Sequence, residues 1–592
     1  MREFGKSSEK SVKCEPEIEF RGKLTSMFHQ SILQYDFGPF RVDPRERRLL
    51  RDGEVVPLTP KVFDILLVLV QNTGHVLSKA EMMKLVWPDT VVEEGNLARN
   101  ISTLRSALGE RPRETQYIET VPWLGYRFVA SVKEVRDSVV PSIKSVAVLP
   151  FTNLDGDLQL EFLADGITES LITSLSQLAG LKVMSRNSSF RYKGREIDAR
   201  KVGHELAVET LVIGRVAKLD ELLSISLELV ATHDNSHLWG VHHVRQYSDI
   251  FTMPAKIAEE MCAKLSVKFS ADEQRRLARR HTDDTDAYQH FLKGRYYFNK
   301  LTWDGVQKGR KHFEEALAKD SSFALAYAGL GDCHNYLGQR TEAEAAVKRA
   351  LELDPDLGEA HASLGFFRFL YDWDFAGAEE QFALAIRLSP NYAEAHHWYA
   401  IYLGNLGRHN EAFVEAEIAV ERDPLSLLMN MTTALNFYLA RQYERAMDQL
   451  QKVIEMEPTF VAARSVLGNV YLQMGSYDKA LSEYEKALEL SKGAIRAEVS
   501  LKVLLASAYA RSGKKAEAEK LFEELLRTGS ASEYLIAALW AALGEKDKAF
   551  ASLNEAFNQR DVQLVSLKVD PSLDDLRDDP RFSELVTRVG LS

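Results

Sequence analysis

Apolar residues recur in three different rhythms along this chain, and each rhythm predicts a different architecture. Between residues 33 and 132 short alternating runs give way to a helical period. RRLL and EVVPL, joined by Asp52-Gly53, read as two strands closed by a two-residue hairpin. Thr59-Pro60 places a capping hydroxyl and a first-turn proline before a helix on which Phe63, Leu66, Leu67 and Val70 recur, and Gly74 follows its end. Ser78-Lys79-Ala80-Glu81 is a capping box opening a second helix that stops before Trp87-Pro88. A third helix is predicted from Glu93 to Leu108, with Leu97, Ile101, Leu104 and Leu108 along one stripe and Gly109 to terminate it. QYIETVPWLGYRFVASV then gives two short strands around Pro122-Trp123-Leu124-Gly125.

The other face of the third helix carries chemistry. At about 100° per residue, Arg99, Ser102, Thr103 and Ser106 point away from the apolar stripe, with Asn96, Asn100 and Arg105 towards its flanks. These hydrogen-bonding side chains have the length to reach base edges and phosphates in a major groove. ISTLRSALG followed by YIETVPWLGYRF resembles the effector domain of the OmpR/PhoB family, in the CadC-like branch of transcriptional activators. The resemblance spans 33–132 and implies an α+β winged helix that binds double-stranded DNA, with RNA polymerase as a further partner. By position, the helix from Glu93 to Leu108 is then the recognition helix, Trp123 to Tyr126 form the wing tip and the strand after it, and Trp123 and Arg127 join the DNA-binding set. There are departures: many relatives carry Arg or Lys where this chain has Ser102 and Thr103, and a basic wing residue where it has Pro122-Trp123-Leu124. The segment holds about as many acidic as basic residues, so one copy gains little affinity by neutralising phosphates, and a homo-oligomer on DNA is expected.

After a linker at 133–144, the second rhythm occupies 145–270. SVAVLPF reads as a buried strand, and a helical pattern runs from Phe162 to Leu178. LKVMS, a helix at Ala199 to Leu206, and TLVIGRVAKL and LLSISLELVAT turning at Asp220-Glu221 follow. HLWGVHHV and a helix from Ile250 to Val267 complete a small α/β domain. SVAVLPF, FLADGITESL, MSRNSSFRYKG, LVIGRVAK and HLWG resemble the TolB amino-terminal-like domain, which implies a connecting or ligand-sensing role. Asp155-Gly156-Asp157 lacks the glycine-lysine signature of a phosphate loop and reads as a turn. His233, His237, His242 and His243 lie close together without a carboxylate or thiolate at ligand spacing, so no metal is expected. Arg186, Arg191, Lys193, Arg195, Arg200 and Lys201 form the most basic stretch, read as a solvated face with a contact to a small anion as the alternative. No Ser/His/Asp or Cys/His set presents itself, so neither catalytic residues nor a cofactor are expected.

Beyond a connector at 271–286, the third rhythm fills 287–563. Pro355, Pro390, Pro424 and Pro458 recur about every 34 residues. Tyr327, Leu330, Gly331, Ala343, Ala350 and Pro355 set a pattern that Leu467, Gly468, Tyr471, Ala480, Tyr484 and Ala487 restate. These motifs resemble tetratricopeptide repeats, about eight of them, and imply an all-α solenoid whose inner surface is a binding groove. Asn335, His361, His397, Asn405 and Asn469 on first helices are candidates to face that groove and an unknown protein or small-molecule effector. Residues 564–592 read as a polar C-terminal cap.

Composition changes the picture in two places. A chain of 592 residues is too long for one core, and its formal charge of −12 disfavours nucleic acid only if charge is spread evenly; a small DNA reader attached to a larger acidic sensor resolves that. No stretch approaches the ~18 apolar residues of a membrane span, FDILLVLV being the longest strongly apolar run. CadC-like proteins place a membrane helix after the winged helix, where this chain has the polar SVKEVRDSVVPSIKS. Residues 1–32 lack a signal-peptide core and read as a disordered polar leader, and Cys14, Cys262 and Cys333 imply no disulfide framework. The expectation is a cytoplasmic, sequence-specific transcriptional regulator of three linked domains, with no membrane partner. No phosphoacceptor domain is expected, since only the leader stands before the winged helix in this sequence. Two alternatives remain: a tetratricopeptide scaffold or adaptor whose winged helix docks protein, and an enzyme in the middle domain.

Overall fold

The computed structural model describes residues 33–591 apart from 45–46, 88–93, 111–115, 137–142, 220–221, 247–252, 266–269, 278, 280, 301, 493 and 529–530. The leader 1–32, the start of the third helix at Glu93 and the Asp220-Glu221 turn lie outside the described residues. The chain divides into two compact units, up to Pro141 and from Ser142.

The first unit orders its elements as β1 (Leu33–Phe37), β2 (Phe40–Asp43), β3 (Arg48–Arg51), β4 (Glu54–Val56), α1 (Pro60–Gln71), β5 (Val76–Ser78), α2 (Lys79–Val86), α3 (Glu94–Ala107), β6 (Ile118–Val121), β7 (Gly125–Phe128) and β8 (Lys133–Arg136). Asp52 and Gly53 both take positive φ, 50° and 88°, as a tight hairpin between right-twisted strands requires. Thr59 stands at the α1 N-cap without a side-chain cap bond, so Pro60 alone marks that start. Ser78 and Glu81 close the capping box reciprocally. Phe63, Leu66 and Val70 of α1 meet Leu97, Ile101 and Leu104 of α3 and the ring cluster Phe37, Phe40, Tyr117 and Phe128 in one core. One boundary differs from expectation. Residues 133–136 are not linker: β8 pairs antiparallel with β1, Leu33 opposite Arg136, at the edge of the sheet β4-β3-β2-β1-β8. The charged sequence KEVR disguises this edge strand as a loop.

The second unit begins with β9 (Ser145–Val148), β10 (Thr152–Asn153), α4 (Leu158–Ser176), β11 (Lys182–Val183), α5 (Arg186–Phe190), α6 (Ala199–Leu206), β12 (Thr210–Leu219), β13 (Leu222–Ala231), β14 (His237–Gln246) and α7 (Met253–Lys264). The sheet runs β11-β9-β12-β13-β14, with β10 on β12. The segment expected to connect this domain to the repeats contains α8 (Ala271–Leu277), opened by a reciprocal Ser270–Glu273 capping box. Its single buried apolar residue, Leu277, is too little periodicity to reveal a helix.

Eight helix pairs follow among the described residues. The first is α9 (Thr285–Phe298) with α10 (Trp303–Lys319). The others are Ala324–Tyr336 with Arg340–Leu353, Gly358–Phe367 with Phe375–Leu388, and Ala393–Asn405 with His409–Arg422. Leu427–Leu439 with Tyr443–Met456, Val461–Gln473 with Tyr477–Leu490, Ile495–Arg511 with Lys515–Thr528, and Glu533–Leu543 with Lys546–Asn558 complete them. The α/β layer and the first pair are not separate bodies. Ile167 and Leu171 of α4, Ile257 and Met261 of α7, and Phe291, Leu292 and Phe313 of the first pair belong to one continuous core.

The C-terminal segment is not a polar end cap. Two 3₁₀ turns, Val562–Ser566 and Pro571–Leu576, and a helix, Pro580–Val589, bury Leu564, Leu567, Leu573, Leu576, Phe582 and Leu585. The segment runs back along first helices of earlier pairs. Ser566 Oγ donates to Asn405 Oδ1 at 2.6 Å, Arg441 pairs with Asp574 at 2.6 Å, Arg511 with Asp575 at 2.8 Å, and Tyr534 donates to Asp570 at 2.8 Å. The aspartates that make SLDDLRDDPRFSEL look solvated are the groups that tie it down.

Candidate nucleic-acid interface and effector cavity

On α3 the apolar stripe Leu97, Ile101, Leu104 is almost wholly buried, while Asn96, Arg99, Ser102, Thr103 and Ser106 are exposed. The Arg99 guanidinium has no hydrogen bond or ion pair among the described residues. Asn100 donates its amide to Asn96 O at 2.8 Å, and Thr103 its hydroxyl to Arg99 O at 3.1 Å, which leaves each side chain an acceptor oxygen free. Arg105 is different. It donates to Ile118 O at 2.8 Å and Thr120 Oγ1 at 2.9 Å on β6, and its Nε lies 3.3 Å from the buried carboxylate of Glu110. Glu110 also accepts the backbone N–H of Gln116 and Ile118. Arg105 therefore fixes the β6–β7 hairpin against α3, and it is a positioning residue. Arg127 is likewise engaged, donating to Glu119 across the hairpin at 2.8 Å. At the tip Trp123 is fully exposed with φ 66°, and Leu124 beside it is exposed too. Gly125 is obligatory there: a Cβ would lie 1.9 Å from Leu77 O on β5.

In the second unit a cavity of about 430 Å³ lies between α4, α5 and the first helices of the first four pairs. Glu169 of α4 forms one wall, accepting from Arg186 at 2.9 Å, Arg295 at 2.6 Å and Asn299 at 2.9 Å. Burial works to raise its pKa, but the two guanidinium groups prevail and hold the carboxyl below its ordinary value. Asp332 shares Arg295 at 3.2 Å, and burial pushes it up to about 6. Glu359 and Glu394 line the cavity with no ion pair among the described residues, and burial raises both, Glu394 to about 7. Tyr288, Phe291, Tyr336, Tyr392 and Trp398 supply apolar walls. Below the cavity the inter-pair turns hold the α/β layer. Asn391 donates to Leu178 O at 2.9 Å and Leu181 O at 2.8 Å and accepts from Val183 N at 3.2 Å, while Asp423 accepts from Ser188 and Asn187.

Glu394 gives a pH-dependent expectation. Its folded-state pKa stands above the ordinary 4.5, so the native chain binds the extra proton between about 4.5 and 7 and loses stability as pH rises through that window. Glu394→Gln is expected to raise stability at pH 8 by on the order of 1–3 kcal/mol and to change little at pH 4. Urea unfolding at the two pH values checks this, and a variant less stable than the parent at pH 8 would refute it.

The residues expected along the groove are scattered. Asn335 is exposed and lines the cavity. His361 is buried and bonded to Gln381 at 2.7 Å and Pro355 O at 2.8 Å. It is one of four equivalent clamps. His396, Asn430 and Arg464 likewise bind the carbonyl of the proline six residues before them, and Glu415, Gln449 and Glu483 on the second helix. His397 neighbours a clamp; its Nδ1 is buried without a partner among the described residues, and burial lowers its pKa to about 4. Asn405 is held by the C-terminal segment, and Asn469 accepts from Tyr484 at 2.6 Å.

Other sequence candidates resolve locally. Within the basic stretch Arg186 is paired at the cavity wall, and Lys193 bridges Glu161 at 2.5 Å and Asp165 at 2.6 Å. His242 bonds Ser224, His243 approaches Glu260 and His233 is exposed, so the structure does not gather these histidines. Asp155-Gly156 forms a turn closed by Asn153 Oδ1, with Gly156 at φ 68°.

Four family models match: transcriptional regulatory protein, C terminal, over residues 53–128; HilA/YgeH-like transcriptional regulator, second domain, over 142–253; and tetratricopeptide repeat over 305–361 and 459–529. The region resembling a TolB amino-terminal-like domain is the one that matches the HilA/YgeH-like second domain. Transcriptional regulator HilA of Salmonella typhimurium (strain LT2) is 25% identical over 402 residues, 65% of this chain and 70% of its own length. Putative adenylate cyclase 3 of Rhizobium meliloti (strain 1021) is 35% identical over 191 residues, and the chain covers only 32% of that protein. The solved DNA-binding domain of E. coli CadC is 30% identical, covering 17% of this chain and 97% of its own, with a TM-score of 0.17. In its matched segments the chain resembles the CadC- and HilA-like regulators, with an OmpR/PhoB-type DNA-binding domain followed by a HilA-like domain and tetratricopeptide repeats.

Proposed function

We propose that this chain is a one-component, sequence-specific transcriptional regulator acting in the cytoplasm, regulatory rather than catalytic. The observation that carries the reading is the exposed polar face of α3 beside its hairpin, in a segment matching the C-terminal domain of transcriptional regulators. Helix α3 enters the major groove, and Arg99, with Asn96, Asn100, Ser102, Thr103 and Ser106, reads bases and phosphates. Trp123 and Leu124 rest on the adjacent backbone. The cavity between the HilA-like domain and the repeats receives a small-molecule effector. Among the described residues no helix is long and apolar enough to cross a membrane, which accords with a cytoplasmic role. Two or more copies occupy half-sites about 10–11 base pairs apart, because the segment holds about as many acidic as basic residues and one copy gains little from phosphate. RNA polymerase is the further partner once the chain is on DNA.

Mapping of bound DNA across the genome yields the site, and titration of one-half-site and two-half-site duplexes tests the assembly. The pair is expected to bind cooperatively and with a steeper salt dependence. A lone half-site that binds as tightly as the pair would remove the oligomer, and absence of any preferred sequence would favour the reading in which the winged helix docks protein.

A further inference from the structure

The α9–α10 hairpin carries a cluster that neither the DNA face nor the cavity uses. His290 on α9 and His312 and Glu315 on α10 bring His290 Nδ1, His312 Nδ1 and Glu315 Oε2 within 4.8 Å of one another. The two ring nitrogens are 3.3 Å apart, and Glu315 Oε2 lies 2.9 Å from one and 2.8 Å from the other. All three side chains are partly exposed. The His312 ring stacks on Tyr297, 5.5 Å between centroids and 11° from parallel, which fixes its orientation.

We propose that His290, His312 and Glu315 bind a divalent d-block ion of the zinc class. Bonds of about 2.0–2.1 Å in a tetrahedral shell set donor atoms about 3.3 Å apart, which is the separation of the two ring nitrogens. The carboxylate oxygen needs to move outward by only about 0.5 Å to complete three ligands of that shell. Two imidazoles and a carboxylate suit zinc, nickel, cobalt or copper rather than magnesium or calcium, which take oxygen donors. Solvent reaches the cluster, so a water completes the fourth position. Without an ion, Glu315 simply accepts a hydrogen bond from each imidazole, with Lys311 3.8 Å away. The two arrangements differ in what a metal does to the protein. His290 faces away from Tyr288, Phe291 and Arg295, which on the same helix line the cavity. An ion there clips α9 to α10 from outside and stiffens the cavity wall.

The full chain, prepared without a histidine tag, is titrated with Co2+ and then with competing Zn2+. One equivalent of Co2+ is expected to give visible ligand-field bands that Zn2+ abolishes, and Zn2+ is expected to raise the melting temperature. His290→Gln and His312→Gln, which keep an amide near Glu315 but remove the imidazole, are expected to weaken Zn2+ at least about a hundredfold, since even outer-sphere changes cost ten- to a hundredfold. His237→Ala, on the remote strand β14, leaves binding unchanged. Absence of the bands in the parent overturns the site, as does full Zn2+ affinity in the double Gln variant. Circular dichroism of the metal-free variants separates a lost ligand from a lost fold, and Glu315→Gln provides a second variant of the same shape. Failure of this test leaves the regulatory reading untouched, since DNA binding is measured separately.

Discussion

Arg99→Ala is expected to weaken specific DNA binding by roughly ten- to a hundredfold, the cost of about 1–3 kcal/mol for one lost base contact, and to relax sequence preference at one position. The guanidinium is exposed on α3 and unspent on internal bonds. Arg105→Ala should weaken binding too, but by another route. Removing it strips the buried Glu110 carboxylate of its cation and loosens β6, so the isolated segment 33–136 should melt at lower temperature. That segment has its own core and is a separate compact unit, which makes the comparison possible. Duplex titration and thermal melting of both variants decide the point. Parent-like affinity in Arg99→Ala would remove α3 as the reading helix. An unchanged melting temperature in Arg105→Ala would return that residue to the candidate DNA contacts.

A chain ending at Asn558 is expected to lose most of the stability of its last repeats. The missing segment buries large apolar side chains that include Leu564, Leu567, Leu573, Leu576, Phe582, Leu585 and Leu591. At about 1.5–3 kcal/mol each, their loss is on the order of 10 kcal/mol, comparable with the whole stability of an ordinary domain. Arg441 and Arg511 lose their carboxylates in addition. Limited proteolysis should cut the truncated chain within the final pairs while leaving 33–136 intact. Truncated and parent chains that resist protease equally would show the segment to be dispensable.

What the sequence made legible was what repeats or alternates. The capping box at Ser78, the stripe on α3 and the proline period of the repeats rest on local pattern, and local pattern survives in the fold. What escaped has a common physical cause. β8 and α8 are short and charged; β8 is held through its backbone ladder to β1 and α8 buries Leu277 alone, so neither leaves an apolar periodicity. The C-terminal segment looks solvated because its aspartates find partners on earlier helix pairs, Arg441 for Asp574 133 residues back and Arg511 for Asp575 64 residues back. His361 is a polar residue on a first helix like any groove candidate, yet it binds a backbone carbonyl six residues earlier and Gln381, and only the fourfold recurrence through His396, Asn430 and Arg464 betrays a structural clamp. The angle of Arg105 on α3 sets it beside the DNA-facing residues, and its pairing with β6 across an intervening stretch is invisible to a helical projection.

The core shared by the α/β layer and the first repeat pair bears on how the chain is made. Ile167 and Leu171 on α4 leave the ribosome well before Phe291, Leu292 and Phe313, the side chains that cover them. At about 5–20 residues per second the wait is on the order of ten seconds. For that interval the HilA-like domain is an incomplete nascent body with an uncovered greasy flank, a natural client for chaperones that meet emerging polypeptides. A ribosomal pause placed between codons 265 and 285 would lengthen the exposure.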